Sequence, residues 1–283
     1  MSRCQNTLKQ KVSFSGMGLH TGNEVTMTFC PEKEGTGIVF ERVDLPGNPV
    51  IPATIEYVQE TSRSTTIGIG SVRVHTVEHV LAALCAYGVD NVRIQVSAAE
   101  PPVGDGSSLP FVEMIEKSGV QQQALSLPIV QLNKPVYWSK GDIHLVALPS
   151  PEYRVSYTLH YPSSAAIRCQ YFSAVIDKDS FKKEIAPCRT FALYDEVALL
   201  MDRGLIKGGS LENAVVIKDD VIFSKEGLKF PDEMARHKIL DIIGDLSLVG
   251  FPFLAHIIAI RSGHTANTAF AKEIFNYITM ESH

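Results

Sequence analysis

The chain has little cysteine. Five residues, at positions 4, 30, 85, 169 and 188, are scattered through 283 with no close pair and an odd total. That excludes a disulfide scaffold and a zinc ribbon, and it points to reduced thiols in a cytoplasmic protein. No apolar run reaches the roughly 18 residues that a membrane helix needs. The longest candidate, Leu248 to Ile260, is broken by Gly250, Pro252 and His256. Met1 to Gln10 is polar, so no signal peptide is expected. There is no basic excess: 26 Lys and Arg stand against 31 Asp and Glu, for a net charge of −5, which argues against nucleic acid as a partner. No G-x-S-x-G elbow supports a serine hydrolase. The Gly-rich stretch Gly16-Met-Gly-Leu-His-Thr-Gly22 is not followed by a helix, so it is neither a dinucleotide nor a phosphate-loop fingerprint, and His20 reads as a turn residue.

What the chain does have is ordinary globular composition, 45% hydrophobic and 20% charged, enough for one large domain or two of about 140 residues. Its most informative stretch is Asp232-Glu-Met-Ala-Arg-His-Lys-Ile-Leu-Asp-Ile-Ile-Gly-Asp-Leu246. His237, Asp241 and Asp245 fall four apart, so a helix stacks them on one face. Ile239, Ile242, Ile243 and Leu246 bury that helix, with Asp232 as N-cap and Gly250 as its stop. An imidazole and a carboxylate one turn apart are more often a hydrogen-bonded or solvated pair than metal ligands. A second helix start, Val74-His-Thr-Val-Glu-His-Val-Leu-Ala-Ala-Leu84, shifts the balance. Thr76 is its expected cap and Gly88 its stop. A Glu beside a His, here Glu78 and His79, is the arrangement in which zinc hydrolases place a base next to a metal ligand.

Two pairs of segments suggest an internal duplication. Gly22 to Glu32 and Gly141 to Glu152 each read as a turn, an alternating strand and a Pro-Glu turn. Ala82 to Gly88 and Gly244 to Gly250 each read as the end of a helix with a Gly stop, a register that sets His79 opposite Asp241. The spacing between the markers is longer in the second half, which implies an insertion there that includes Arg189 to Asn213. Strands are expected at 25–29, 92–96, 143–148, 155–159, 215–217 and 257–260, with few long helices. This is an α+β pattern, a sheet with covering helices in each half. The division falls at residues 1–124 and 125–283, with polar Gln121 to Pro128 as linker. His264, in Arg261-Ser-Gly-His-Thr-Ala-Asn267, reads as a loop histidine at a strand end, where it projects into a cleft or bonds to backbone. Glu100 to Ser107 reads as a structural turn cluster.

The residues together resemble a known family. Val12 to Gly22, Thr76-Val-Glu-His79, Asp105-Gly-Ser107, Arg189-Thr-Phe191, Gly204 to Asn213, Arg236 to Leu246 and Ser262-Gly-His264 occur in the order found in UDP-3-O-acyl-N-acetylglucosamine deacetylases, zinc amidases of lipid A biosynthesis. The resemblance implies two similar α+β halves packed face to face, with one insert in each half and the second insert lining an apolar passage for an acyl chain. It implies Zn2+, or Fe2+ in the same site, on His79, His237 and Asp241, with Glu78 as base. By the same resemblance His264 polarises or donates a proton, oriented by Asp245; Thr190 reaches the carbonyl oxygen; and Lys238 and Phe191 contact substrate. The partner implied is a small molecule, UDP-3-O-acyl-GlcNAc, acted on by a cytoplasmic chain expected to be monomeric. Where relatives often have Gly-Phe after Arg-Thr-Phe, this chain has Ala192-Leu193, in the wall of the expected passage. Tyr157 and Tyr161 lie in the region of the uridine, but no motif assigns either to it. Two other classes use similar ligands. A non-haem iron oxygenase also uses two His and a carboxylate but carries them as His-x-Asp on a strand. A non-catalytic binding module would leave Glu78 and His264 idle.

Overall fold

A computed structural model describes residues 1–162, 164–197 and 206–281. Alternation in the sequence becomes strand faces. In Glu24–Pro31, Val25, Met27 and Phe29 are fully buried while Thr26 lies outward, and in Val92–Val96 the residues Val92, Ile94 and Val96 all point inward. Ten such strands form two five-stranded sheets. The first contains β1 (Val12–Met17), β2 (Glu24–Pro31), β3 (Ile38–Arg42), β4 (Val50–Pro52) and β5 (Val92–Val96), in the order β1-β2-β5-β3-β4. The second contains β6 (Val136–Lys140), β7 (Ile143–Leu148), β8 (Arg154–Tyr161), β9 (Arg168–Val175) and β10 (His256–Ile260), in the order β6-β7-β10-β8-β9.

The two orders are the same, strand for strand. In each sheet the last strand in sequence inserts at the centre, antiparallel to the second and parallel to the third. Helices α1 (Glu78–Ala86) and α2 (Leu109–Ser118) flank β5 in sequence just as α3 (Glu233–Ser247) and α4 (His264–Glu281) flank β10. Each half also carries a three-stranded sheet at the same point in its order. The first comprises Val58–Glu60, Thr66–Ile69 and Val72–Val74, ahead of α1. The second comprises Phe191–Leu193, Val215–Lys218 and Val221–Phe223, ahead of α3. The expected α+β fold of two similar halves is therefore present, and both marker pairs in the sequence fall on equivalent elements. Of the second insert's apolar run, Val197 to Met201, everything beyond Val197 lies outside the described residues.

The halves meet through helices. α1 packs on α3, α3 lies on β8 and β9, and α4 lies on β6 and β7, so the two sheets share one buried core. α1 is apolar nearly all round because it is enclosed. Its crossing with α3 is close: a Cβ on Gly244 would meet the Glu78 carbonyl oxygen at well under contact distance. Glycine is needed there because the neighbouring atom is backbone and cannot move aside.

Several local expectations change. Gln121 to Pro128 is not a free linker; Val120–Pro128 is a strand paired antiparallel with Ser2–Leu8. Its apolar pattern is weak because partner hydrogen bonds, not burial, hold it in place. Val77, not Thr76, occupies the N-cap of α1. Thr76 is in the left-handed region at φ 55°, with its hydroxyl unpartnered. Asp232 is at the N-cap position of α3, but its carboxylate accepts from Arg236 rather than from the helix backbone. Helices α2 and α4 add to the few expected, and His264 opens α4 instead of lying in a loop. Among the described residues no helix is long and apolar enough to cross a membrane.

Candidate functional site

Helical spacing on α3 puts His237, Asp241 and Asp245 on one buried face. α1 brings Glu78 and His79 to that face from the other half. His237 Nε2 lies 3.4 Å and His79 Nε2 3.8 Å from Asp241 Oδ1. The donor atoms of the three residues all lie within 4.8 Å of one another. The two imidazoles meet edge to face with centroids 5.0 Å apart. His237 donates its Nδ1–H to the Cys188 carbonyl at 3.1 Å, which leaves the Nε2 lone pair free. Burial, with His237 close by, pushes His79 down to about 3, and burial also lowers His237. Both rings are therefore neutral donors. Burial opposes ionisation of Asp241, but Lys238, His237 and the other neighbouring histidines outweigh it and hold the carboxyl well below its ordinary range.

Asp241 Oδ1 is fully buried and accepts no hydrogen bond. An anionic oxygen left bare in the interior is costly unless a cation meets it. Two neutral imidazole nitrogens and a carboxylate oxygen are a donor set that fits a divalent cation of borderline softness. His79→Ala, His237→Ala and Asp241→Ala should each lose stoichiometric bound metal, because three protein donors leave none spare. Metal content after gel filtration checks this, and a variant that keeps a full equivalent removes its residue from the ligand set.

A second cluster sits beside the first. His264 Nε2 lies 3.7 Å from Glu78 Oε1 and 4.0 Å from Asp241 Oδ2, while Nδ1–H donates to Asp245 Oδ2 at 3.0 Å. Burial works against the His264 imidazolium, but Asp245, Glu78 and Asp241 together outweigh it and lift the group to about 9. Burial raises Glu78 to about 7; Asp245 and Asp241 add to the rise and His264 opposes it. Lys238 donates to Asp241 Oδ2 at 2.6 Å. Thr190 is held by its backbone, its N–H on Gly106 and its carbonyl accepting from Val215. Phe191 lies edge-on to both Tyr161 and His237.

All the residues singled out in the sequence except Asp245 line one cavity of about 680 Å³; Asp245 is buried just behind His264. Thr190, Phe191, Leu19, His20 and Arg63 also line an adjoining space of about 520 Å³. Its walls include Val197, Ile206 and Leu211 of the second insert and, just beyond it in sequence, Ala214, Val216 and Phe223. Tyr157 and Tyr161 both line the first cavity; Tyr157 is buried, with its hydroxyl donating to the Ser262 carbonyl. The Gly16–Gly22 turn is gathered by Glu100, which accepts from the His20 and Thr21 amides and the Thr21 hydroxyl. His20 is thus in a turn, as read, and also faces the cavity.

Two residues that hold the site had no role in the sequence reading. Asn267 donates to Asp245 Oδ2 at 2.9 Å. Its spacing three residues beyond His264 would have flagged it had the helix been recognised. Thr65 donates to Asp245 Oδ1 at 2.5 Å across 180 positions, and no local pattern signals that.

With this geometry in place, comparison with known proteins is specific. The family model for UDP-3-O-acyl N-acetylglycosamine deacetylase matches residues 5–276. The UDP-3-O-acyl-N-acetylglucosamine deacetylase of Chlamydia felis is 54% identical over 274 residues, covering 97% of this chain and 98% of its own. That of Chlamydia pneumoniae is 51% identical over 281 residues, 99% and 100%. That of Chlamydia muridarum is 53% identical over 281 residues, 99% and 98%.

Proposed function

The chain belongs to the UDP-3-O-acyl N-acetylglycosamine deacetylase family, and from that membership we propose that it is a metal-dependent amidase. It hydrolyses the N-acetyl group of UDP-3-O-acyl-GlcNAc to acetate and the free amine, a step of lipid A biosynthesis. The observation that carries the metal-dependent part is the bare, buried Asp241 Oδ1 between two neutral imidazoles, beside Glu78 and His264. His79, His237 and Asp241 hold the cation, which is Zn2+ by preference; Fe2+ would use the same donors. When bound, the cation supplies Lewis acidity at the scissile carbonyl and makes water a stronger nucleophile.

The chain's own groups do the rest. Glu78 Oε2 is fixed by the Thr65 amide at 3.0 Å, which leaves Oε1 to take the proton of the attacking water. The water oxygen bonds to the acetyl carbon, and the carbonyl electron pair moves onto oxygen. His264 stabilises that oxyanion through Nε2–H while Asp245 holds its other nitrogen, and the Thr190 hydroxyl is a second donor. Collapse breaks the C–N bond, and the proton taken by Glu78 is at hand for the departing amine. Lys238, anchored on Asp241, and Phe191 at the junction of the two spaces contact the substrate. The space lined by the second insert takes the acyl chain.

The division into residues 1–124 and 125–283 is part of the same reading, with the reaction at their junction and the second insert, about 189–213, serving the acyl chain. A monomeric, cytoplasmic enzyme belongs to it as well, and five unpaired cysteines agree with a reducing compartment.

A mass-spectrometric assay with a series of UDP-3-O-acyl-GlcNAc substrates tests this. Acetate and amine should appear in equal amounts. Each methylene removed from the acyl chain should cost about fourfold in kcat/KM, following the roughly 0.8 kcal/mol of a buried CH2. An O-acetyl substrate turned over as well as a long-chain one would sink the passage assignment, and absence of acetate would sink the deacetylase itself.

A further inference from the structure

Thr65 lies just ahead of the strand Thr66–Ile69 in the three-stranded sheet of the first half, outside every motif that marks the site, and is completely buried. Each of its polar groups is committed to a different part of the active centre. Its N–H donates to Glu78 Oε2 at 3.0 Å. Its carbonyl accepts from the Val77 amide at 3.2 Å, where α1 begins. Its hydroxyl donates to Asp245 Oδ1 at 2.5 Å, on α3 of the opposite half. Glu78 and Asp245 have no direct hydrogen bond to each other, and this one residue ties both.

We propose that Thr65 is a positioning residue for the reaction, setting the base and the oxyanion donor relative to each other; this rests on the deacetylase reading above. Asp245 has a donor on each oxygen: Thr65 Oγ1 on Oδ1, and His264 Nδ1 and Asn267 Nδ2 on Oδ2. Donors on both sides fix the carboxylate plane, and the plane fixes the direction in which the His264 ring points Nε2. Without the hydroxyl, Oδ1 is an anionic oxygen buried with no donor, and the carboxylate turns to find one, carrying His264 with it. The branched Thr side chain has few χ1 states, so the hydroxyl is aimed before substrate arrives. The main-chain tie to Glu78 survives substitution, so a side-chain variant separates the two functions.

The test compares metal-loaded wild type with Thr65→Val, Thr65→Ser and Thr65→Cys, measuring kcat, KM and metal content. Thr65→Val keeps the shape without the donor and should lose on the order of 10–100-fold in kcat, with full metal. Its KM should stay within about threefold, since the misaligned groups act in the transition state. Thr65→Ser restores the hydroxyl and should return kcat to within about threefold of wild type. A residue that only fills space gives a different pattern, in which Tm falls while kcat well below Tm does not. The proposal is overturned if Thr65→Val turns over like wild type, if its loss lies in KM alone, or if Thr65→Ser is as impaired as Thr65→Val. Should Thr65→Val fail to fold, Thr65→Cys, a weak donor of similar size, takes its place, and a wild-type kcat there overturns the proposal. Wild type is assayed beside the variants: if it releases no acetate the deacetylase reading falls and this one with it, whereas an active wild type with unimpaired variants removes only the role of Thr65.

Discussion

Glu78→Gln is expected to bind metal like wild type and to lose on the order of 10²–10⁴ in kcat, the usual contribution of a positioned general base. The substitution is nearly isosteric. The Thr65 amide can still donate to the Gln oxygen, so α1 should hold its place and His79 its ligand geometry. What disappears is the ability of Oε1 to accept a proton from water. The buried carboxyl, pushed up to about 7, is suited to that task near neutral pH because its proton affinity is well above that of a solvated glutamate. A neighbouring bound cation pulls it back down, so the acid limb of the loaded enzyme should fall below that value. Single-turnover kinetics with metal content measured on the same sample decide the matter. Full metal with less than about a fivefold fall in kcat would place the base elsewhere.

His264→Ala should lose about 10²–10³ in kcat with little change in metal content, the cost typical of deleting one oxyanion donor. In the proposed mechanism the charge that His264 meets exists only in the transition state, so the loss should fall in kcat rather than KM. The pH profile carries the sharper test. In the proposed reaction His264 acts as an imidazolium; burial opposes that proton, but Asp245, Glu78 and Asp241 outweigh it and lift the group to about 9. The alkaline limb in wild type should therefore reflect loss of that proton. In Asp245→Asn the negative partner is gone, the imidazolium is less favoured, and the alkaline limb should move to lower pH. Asp245 also raises Glu78, so the acid limb should move the same way. A profile unchanged in both His264→Ala and Asp245→Asn would withdraw the role assigned to His264.

How much of this was legible in the chain follows from how far each interaction reaches. The faces of β2, β5 and β7 could be read because alternation is a property of neighbouring residues. The His237, Asp241, Asp245 stripe could be read because one turn of helix is four residues. Even the duplication left a trace, since equivalent strands and helix ends keep equivalent stop signals. Legibility ended where a signal was weak or compound. Gln121 to Pro128 reads as a linker because a strand held by an edge partner needs little apolar patterning. His264 reads as a loop residue because the Gly before it masks the start of α4, and the same masking hides Asn267.

The sequence by itself determined the strand faces, the His237, Asp241 and Asp245 stripe of α3, the adjacency of Glu78 and His79, and, through seven motifs in order, the family. Only the tertiary structure decided that α1 and α3 cross closely enough to bring His79 to Asp241. A local mark of that crossing is Gly244, whose missing side chain lets the Glu78 backbone approach. Only the tertiary structure showed that one oxygen of Asp241 is buried with no donor, since burial is set by every element packed around it. The same holds for Thr65. Its hydroxyl meets a carboxylate 180 positions away, and neither propensity nor periodicity encodes a contact that exists only after two halves have packed together.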